Sequence, residues 1–162
     1  MISSACYHSP IGDLWLYANN DGLVALSFHE KDITVSSVPS EPSLLILKET
    51  MKQLDEYFSG ERPVFSIPLV LNGTLFQRSA WKVLQQIPYG STITYAEEAA
   101  AMNRPKSFRA AANANHANPI AIIIPCHRVC ASGGKLGGYG GGIDKKLWLL
   151  RHEGVSGAEK EK

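Results

Sequence analysis

The sequence Ile120-Ala121-Ile122-Ile123-Ile124-Pro125-Cys126-His127-Arg128-Val129 sets a cysteine, a histidine and an arginine directly after a short apolar run. Residues 120–124 are too few to cross a membrane and suit one buried strand, so we predict a strand there. Cysteine attacks as its thiolate, and a nearby imidazole or cation raises the thiolate fraction. Cys126 is therefore a candidate nucleophile, with His127 as its base. The alternative, a small buried cysteine beside a loop histidine, stays open on this pair alone.

Length and composition limit the protein to one ordinary domain or two small ones. The chain has 162 residues, of which 44% are hydrophobic, enough to bury a core. Its N-terminus lacks the basic flank and apolar segment of a signal peptide, and no stretch is long enough for a membrane span. Three cysteines, Cys6, Cys126 and Cys130, are too few for a disulfide framework. We therefore expect a cytoplasmic protein with reduced thiols.

The net charge of +1 hides an asymmetry along the chain. Residues 1–70 carry nine acidic and four basic side chains, whereas residues 71–162 carry six acidic and twelve basic ones. No acidic side chain falls between Glu98 and Asp144, but five basic ones do: Arg104, Lys106, Arg109, Arg128 and Lys135. Such a basic face favours a polyanionic partner, nucleic acid above all. Because five charges are few, a basic patch without a partner stays an alternative.

The N-terminal region alternates apolar and polar residues as antiparallel strands do. Residues 4–8, 14–17 and 23–28 are predicted to form a meander with hairpin turns. After a polar linker, apolar residues recur at helical spacing before a stop at Gly60: Leu44, Leu47, Met51, Leu54 and Phe58. Residues 64–71 are predicted to form another strand. No catalytic constellation occurs in this region, so we expect it to be structural.

Two sets of thiols and imidazoles raise the question of a zinc site. Cys6, His8 and His29 lack paired ligand spacing and a clear fourth ligand. The strand predicted before the second set argues against a zinc knuckle of Cys126, His127, Cys130 and His116. We therefore predict no metal site.

The C-terminal region carries two capping boxes, each a threonine followed three residues later by a glutamine or glutamate. Thr74 with Gln77 predicts the start of one helix, and Thr94 with Glu97 predicts the start of another. In a capping box the two side chains satisfy backbone N–H groups that the first helical turn leaves unpaired. Both starts are therefore well specified by local sequence.

The second of these helices begins a helix-turn-helix pattern. It spans residues 95–102, a turn follows over residues 103–106, and Ser107 is predicted to cap a third helix that ends near His116. The third helix, Arg109-Ala110-Ala111-Ala112-Asn113-Ala114-Asn115, is made mostly of small residues. Small side chains suit tight packing, but they also let a helix approach a nucleic-acid groove closely. It offers little for reading base edges, so we expect sequence-tolerant phosphate contacts.

A glycine-rich loop follows the reactive cysteine. Residues 137–142 lack the Lys-Ser/Thr end of a nucleotide-binding P-loop, so phosphate binding there is not predicted. A loop with so few side chains suits a flat wall against a planar ligand. Residues 145–151 are predicted to form a final helix, and the charged residues 156–162 a disordered tail.

A series of motifs occurs in one order along the C-terminal half: Phe76-Gln77 with Trp81, Ile87-Pro88-Tyr89-Gly90, Thr94-Tyr95, Arg109-Ala110, Asn118-Pro119, Pro125-Cys126-His127-Arg128-Val129, Gly138-Tyr139, and Trp148-Leu149-Leu150 with His152-Glu153-Gly154. In this order and spacing they resemble the O6-alkylguanine-DNA alkyltransferases. The resemblance runs from about Thr74 to Gly154. It implies an α+β fold in which residues 1–71 form a ribonuclease-H-like antiparallel sheet with a helix. Residues 72–155 would form a mostly helical, winged helix-turn-helix-like domain that binds DNA and accepts the alkyl group.

The reaction that the resemblance implies is an irreversible, single-turnover transfer. An alkyl group would pass from the O6 atom of a guanine, flipped out of double-stranded DNA, to the thiolate of Cys126. His127 would act as base through a water, and Glu153 would orient the histidine. The resemblance further implies that Tyr95 donates a proton to the guanine and that Lys146 lies beside the thiol. It also implies that Asn118 braces the backbone. Thiol exchange cannot reverse a thioether, so we expect one turnover and no cofactor.

The resemblance also implies which residues meet the substrate. Arg109 would fill the gap that the flipped nucleotide leaves in the duplex. Further DNA contacts are implied at Thr94, Tyr95, Ala110, Asn113 and Arg128, and a base pocket at Val129, Gly138, Tyr139, Gly140 and Gly141. The partner would be double-stranded DNA carrying O6-alkylguanine, with O4-alkylthymine as an alternative lesion that the residues neither select nor exclude. We expect a monomer that does not bind membranes.

Two positions depart from the family pattern, and other classes of protein compete with it. After Arg109 the family commonly has Ala-Val-Gly, whereas here Ala110-Ala111-Ala112 is followed by Asn113. Gly140 stands where the family often has serine or alanine. A non-repairing lesion-binding protein would lack the acceptor thiol, which Cys126 supplies. A transcription regulator would need base-reading side chains on its third helix. A cysteine hydrolase would need a groove for an ester or amide.

Overall fold

The computed structural model describes residues 1–155, so the tail predicted at residues 156–162 lies outside the described residues. Residues Met1–Leu71 form one compact unit together with Pro119–Ala121. The second compact unit contains Asn72–Asn118 and the chain from Ile122 onward. The mixture of a small antiparallel sheet and helices confirms the predicted α+β class. Within the described part of the chain, no helix combines the length and the apolar character needed to cross a bilayer.

The first unit is a three-stranded antiparallel sheet with one long helix. Its strands β1 (Ser3–Ser9), β2 (Gly12–Ala18) and β3 (Leu23–Ser27) lie side by side in chain order, which confirms the predicted meander. Helix α1 (Glu41–Phe58) begins at Ser40, whose side chain accepts a hydrogen bond from the Ser43 backbone. The helix and sheet share an apolar core: Leu14, Leu16, Leu23, Leu26, Leu47, Leu54 and Tyr57 are all buried.

Two of the predicted strands do not form. In residues 64–71, only Leu69 forms a bridge, to Leu23, because Pro68 has no N–H with which to extend a ladder. In residues 120–124, only Ile120 forms a bridge, to Leu26, and a turn follows in which Ile122 has a left-handed φ of 72°. A continuously apolar run indicates burial, but it shows no periodicity from which the backbone conformation can be predicted. The prediction that residues 120–124 are buried is therefore supported, and the prediction that they form a strand was wrong.

The second unit is mostly helical. It contains α2 (Leu75–Gln85), β4 (Ile93–Thr94), α3 (Tyr95–Ala101), α4 (Phe108–His116), β5 (Val129–Cys130) and α5 (Ile143–His152). Both predicted capping boxes are formed, at the starts of α2 and α3. Ser107 stands at the predicted N-cap of α4, but its side chain makes no capping hydrogen bond.

The packing of the second unit fixes α4 against its neighbours. Ala111 and Ala114 of α4 are buried with Ala80 and Met102, so the small residues allow close helix packing on that face. The indole Nε1 of Trp81 donates a hydrogen bond of 2.9 Å to the Ala114 carbonyl. The opposite face of α4 is therefore the one left open to a partner.

Candidate active site

Cys126 begins a single 3-10 turn, Cys126–Arg128, at the end of the buried apolar run. The turn forms because Pro125 precedes it, and the Pro125 carbonyl accepts a hydrogen bond of 3.0 Å from the Arg128 N–H. Asn118 donates from Nδ2 to the Ile124 carbonyl at 2.8 Å and also hydrogen bonds to the thiol. Burial raises the pKa of the Cys126 thiol, while this hydrogen bond and the charge of Lys146 oppose the rise.

His127 and Glu153 form a buried hydrogen-bonded pair. His127 Nε2 lies 2.7 Å from Glu153 Oε2, and both side chains are fully buried. Burial lowers the pKa of His127 against the opposing effect of Glu153, so the imidazole is neutral at neutral pH. With Nε2 donating its hydrogen to Glu153, Nδ1 carries the lone pair. That Nδ1 is buried and has no hydrogen-bond partner among the described residues, so it is the atom able to accept a proton.

Arg128 fixes the other side of the Glu153 carboxylate. Its Nε donates to Oε1 at 2.8 Å and its Nη2 to Oε2 at 3.1 Å, in a two-point contact. Its Nη1 donates to the Ile87 carbonyl at 2.8 Å. Burial alone would raise the pKa of Glu153, but the hydrogen bonds from His127 and Arg128 and the charge of Arg128 lower it to about 2. The carboxylate is thus permanently ionised and held in place.

This placement corrects one prediction. Arg128 was expected to contact DNA, yet its side chain is buried and committed to Glu153 and Ile87. A basic residue next to a buried carboxylate is expected to neutralise that carboxylate rather than face a polyanion. Arg128 therefore holds Glu153, which in turn positions His127.

The thiol opens into a small pocket in the second unit. Its lining is formed by α3, α4 and the glycine-rich loop: Tyr95, Ala112, Asn115, His116, Cys126, Gly138, Tyr139 and Gly140. Three of the five predicted pocket residues lie in this lining, whereas Val129 and Gly141 do not. Ala112, Asn115 and His116 were not among the pocket residues predicted from the sequence. Their spacing of three and four residues on α4, which puts them on one helix face, was the available signal.

Lys146 secures the loop that carries the pocket wall. Its fully buried Nζ donates to the carbonyls of Val129 at 2.6 Å, Leu136 at 2.5 Å and Gly138 at 3.1 Å. Burial lowers the pKa of Lys146, and charges on Cys130 and Cys126 would oppose this. The lysine thus holds both ends of the loop between β5 and the pocket, and its charge favours the Cys126 thiolate.

Tyr95 is held against the same loop. The Gly138 backbone hydrogen bonds to its hydroxyl, and burial, followed by charges on Cys130 and Cys126, raises the tyrosine pKa. A Cβ at Gly137 would lie 3.0 Å from the Tyr95 ring and hydroxyl, and Gly137 has a φ of +75°. Only glycine meets both conditions without strain. Because its pKa is raised, Tyr95 keeps its proton at neutral pH and can donate it.

The other predicted DNA-contacting residues lie on α4 and at the start of α3. Arg109, Ala110 and Asn113 are exposed on α4. Thr94 is the N-cap of α3, where its side chain accepts a hydrogen bond from the Glu97 N–H. The structure thus leaves these three α4 residues accessible, close in the chain to the pocket residue Ala112.

A possible ligand cluster in the first unit differs from the one considered in the sequence. Cys6, His8 and Asp13 have ligand atoms within 4.8 Å of one another, and His29 is not part of the group. His8 faces Asp13 across the β1–β2 pair, and the two side chains already share a hydrogen bond of 2.6 Å.

Two family models match most of the chain. Residues 2–71 match the family model described as the ribonuclease-like domain of 6-O-methylguanine DNA methyltransferase. Residues 75–155 match the model of its DNA binding domain. The chain therefore belongs to the methylated-DNA–protein-cysteine methyltransferase family, which confirms the resemblance found in the sequence.

Relatives of that name cover nearly the full chain. One from Methanosarcina acetivorans is 45% identical over 93% of this chain and 97% of its own length. One from Mycobacterium leprae is 44% identical over 94% and 93%. The solved structure of Mycobacterium tuberculosis OGT in complex with DNA superposes with a TM-score of 0.83, at 39% identity over 98% of this chain and 96% of that one. The likeness covers both units.

Proposed function

We propose that this chain repairs O6-alkylguanine in double-stranded DNA by taking the alkyl group onto the sulfur of Cys126. One observation carries the assignment to this cysteine. Cys126 opens into the pocket and is followed in the chain by a neutral histidine that a buried, ionised Glu153 holds through Nε2. This is the nucleophile, base and orienting carboxylate of a cysteine relay.

The reaction follows from these groups. Nδ1 of His127 accepts the thiol proton, through a water, and Glu153 stabilises the imidazolium that results. The thiolate sulfur attacks the alkyl carbon, the bond from that carbon to O6 breaks, and its electron pair passes to the guanine. Tyr95 donates its proton to the guanine ring as this happens, and the proton held by His127 restores the tyrosine. The products are guanine and a thioether, which leaves each molecule inactive after one transfer.

The lesion reaches the thiol by rotating out of the duplex. A base inside the helix cannot meet a sulfur in a protein pocket, and extrusion costs a few kcal/mol, less for a weakly paired base. Arg109, exposed near the start of α4, would fill the gap, and the exposed Ala110 and Asn113 would contact the DNA backbone. We further propose that the protein acts as a monomer.

Residues 72–155 would then hold the DNA-binding and acceptor functions, with residues 1–71 as structural support. We also propose that the protein works in the cytoplasm, where thiols stay reduced. In support, Cys6, Cys126 and Cys130 form no disulfide within the described residues.

Label transfer tests the proposal. A duplex with a tritiated O6-methylguanine is mixed with wild-type protein, Cys126→Ala and Cys130→Ala, and protein-bound label is counted. We expect stoichiometric transfer to wild type and Cys130→Ala, and none to Cys126→Ala. Binding of the lesion without label transfer to wild type would instead indicate a non-repairing lesion-binding protein.

A further inference from the structure

A buried carboxyl group next to the pocket has no role in the reaction described above. Glu98 lies one turn after Tyr95 on α3, and its side chain is fully buried. Its Oε1 accepts a hydrogen bond of 2.8 Å from Nδ2 of Asn115 on α4. Asn115 lines the same pocket as Cys126. The Glu98–Asn115 pair therefore joins the two helices directly behind the pocket wall.

The remaining two oxygens of this pair lack hydrogen bonds. Glu98 Oε2 and Asn115 Oδ1 are both buried, and neither has a partner among the described residues. If Glu98 is ionised, both oxygens are acceptors, and neither can satisfy the other. One proton on Oε2 would turn it into a donor for Asn115 Oδ1, in addition to the hydrogen bond from Nδ2 to Oε1. Buried polar groups are rarely left unsatisfied, which favours the protonated form.

On the basis of the function proposed above, we propose that Glu98 is a positioning residue. Below neutral pH its carboxyl group is uncharged and its Oε2–H donates to Asn115 Oδ1, and at higher pH its ionisation brings a negative charge near the Cys126 thiolate. The pair would fix Asn115 in the pocket wall through two hydrogen bonds. An ionised Glu98 would raise the pKa of Cys126 and of Tyr95, because a negative charge nearby opposes a second one.

The surroundings of Glu98 favour the neutral form. Burial raises its pKa to about 7, and the Asn115 hydrogen bond opposes the rise. The elements packed against α3 carry these titratable or charged side chains: Arg78 and Lys82 of α2, Arg109 and His116 of α4, and Cys130 of β5. Within residues 1–155, none of the basic side chains among them forms an ion pair with Glu98. No cation is therefore bound to the carboxyl to keep it ionised.

Glu98→Gln is the sharpest variant, since glutamine can make the same two hydrogen bonds as the protonated acid and cannot ionise. The rate of Cys126 modification by iodoacetamide is measured from pH 6 to 8.5 by mass spectrometry of its peptide, in wild type and Glu98→Gln. We expect equal rates at pH 6. At pH 8.5 the variant should react about fourfold faster, because wild-type Glu98 then carries a negative charge that opposes the thiolate and glutamine does not. Exposed Glu97→Gln, the next residue, serves as the control and should follow wild type.

Carbon-13 NMR of the glutamate carboxyl groups gives a direct second readout. The signal that Glu98→Gln removes should titrate near neutral pH in wild type. A Glu98 signal already ionised at pH 6, a rate ratio of one at every pH, or a Glu98→Gln protein that does not fold would each overturn the proposal. Neither readout requires alkyl transfer from DNA, so failure of the proposed function would show separately, as absence of label on Cys126.

Discussion

Glu153 Oε2 lies 2.7 Å from His127 Nε2 with both side chains fully buried, so the orientation of the histidine depends on a single carboxylate. The same carboxylate binds Arg128 at 2.8 Å and is the last of the three groups in chain order. Because Nε2 is occupied, only Nδ1 is available to a proton. Glu153 thus serves both the reaction at Cys126, through His127, and the stability of the fold, through Arg128. Reaction rate and stability can be measured separately.

Replacing Glu153 by glutamine should impair both chemistry and stability. The amide cannot stabilise an imidazolium, so alkyl transfer should slow by about a hundredfold or more. Arg128 would keep its buried charge without a counterion, which costs roughly 3–5 kcal/mol. Single-turnover kinetics and urea unfolding measure the two effects. Asp144→Asn, at the other end of α5 and exposed, is the matched control. A Glu153→Gln protein with wild-type transfer rate would contradict the relay.

Acid should remove the stability that Glu153 contributes. Its pKa is lowered from 4.5 to about 2 in the folded protein, so the folded state binds fewer protons than the unfolded state between these values. The contribution is present above about pH 4.5 and is lost as pH falls toward 2. It amounts to about 3 kcal/mol. Urea unfolding across this range should show a steeper loss for wild type than for Glu153→Gln. Parallel curves would show that Glu153 is not the group responsible.

Gly137→Ala should disturb Tyr95, whereas Gly134→Ala should not. Both glycines have positive φ, +75° and +80°, so both substitutions introduce backbone strain of about 1–2 kcal/mol. Only at Gly137 would the new methyl group lie 3.0 Å from the tyrosine, since nothing lies within 4 Å of a Cβ at Gly134. We expect Gly137→Ala to lose more stability, since its methyl group would also lie 3.3 Å from the Ala131 backbone nitrogen, and to transfer more slowly. Gly134→Ala should transfer at the wild-type rate. Equal transfer rates in the two variants would refute the role of this contact.

Arg109→Ala should slow repair of duplex DNA more than reaction with free O6-benzylguanine. Only the duplex requires extrusion, which costs a few kcal/mol, so we expect a loss of about tenfold or more for the duplex and little change for the free base. Arg151→Ala, another exposed arginine, serves as the control for lost charge. Equal losses on both substrates would rule out a role in extrusion.

The sequence predicted those features that depend on neighbouring residues. Both capping boxes involve residues three apart, so the starts of α2 and α3 were specified locally and are observed. The run 120–124 was predicted to be buried, but its turn at Ile122 depends on tertiary packing. Local preference cannot distinguish a buried strand from a buried turn when every residue is apolar.

The site contacts that sequence analysis missed join residues far apart in the chain. Arg128 is committed to Glu153, 25 residues later, and Asn115 pairs with Glu98, 17 residues earlier. From the sequence alone, a basic side chain in a basic stretch is predicted to contact DNA. The structure shows instead that Arg128 has a buried carboxylate partner. Arg109, in the same stretch, is exposed and keeps the predicted role open to test.

The most direct test of the account is the intact mass of the protein after mixing with a duplex that contains one O6-methylguanine, followed by peptide mapping. We predict the addition of one methyl group per molecule, located on Cys126. An unchanged mass, or a methyl group mapped to Cys6 or Cys130, would contradict the central claim.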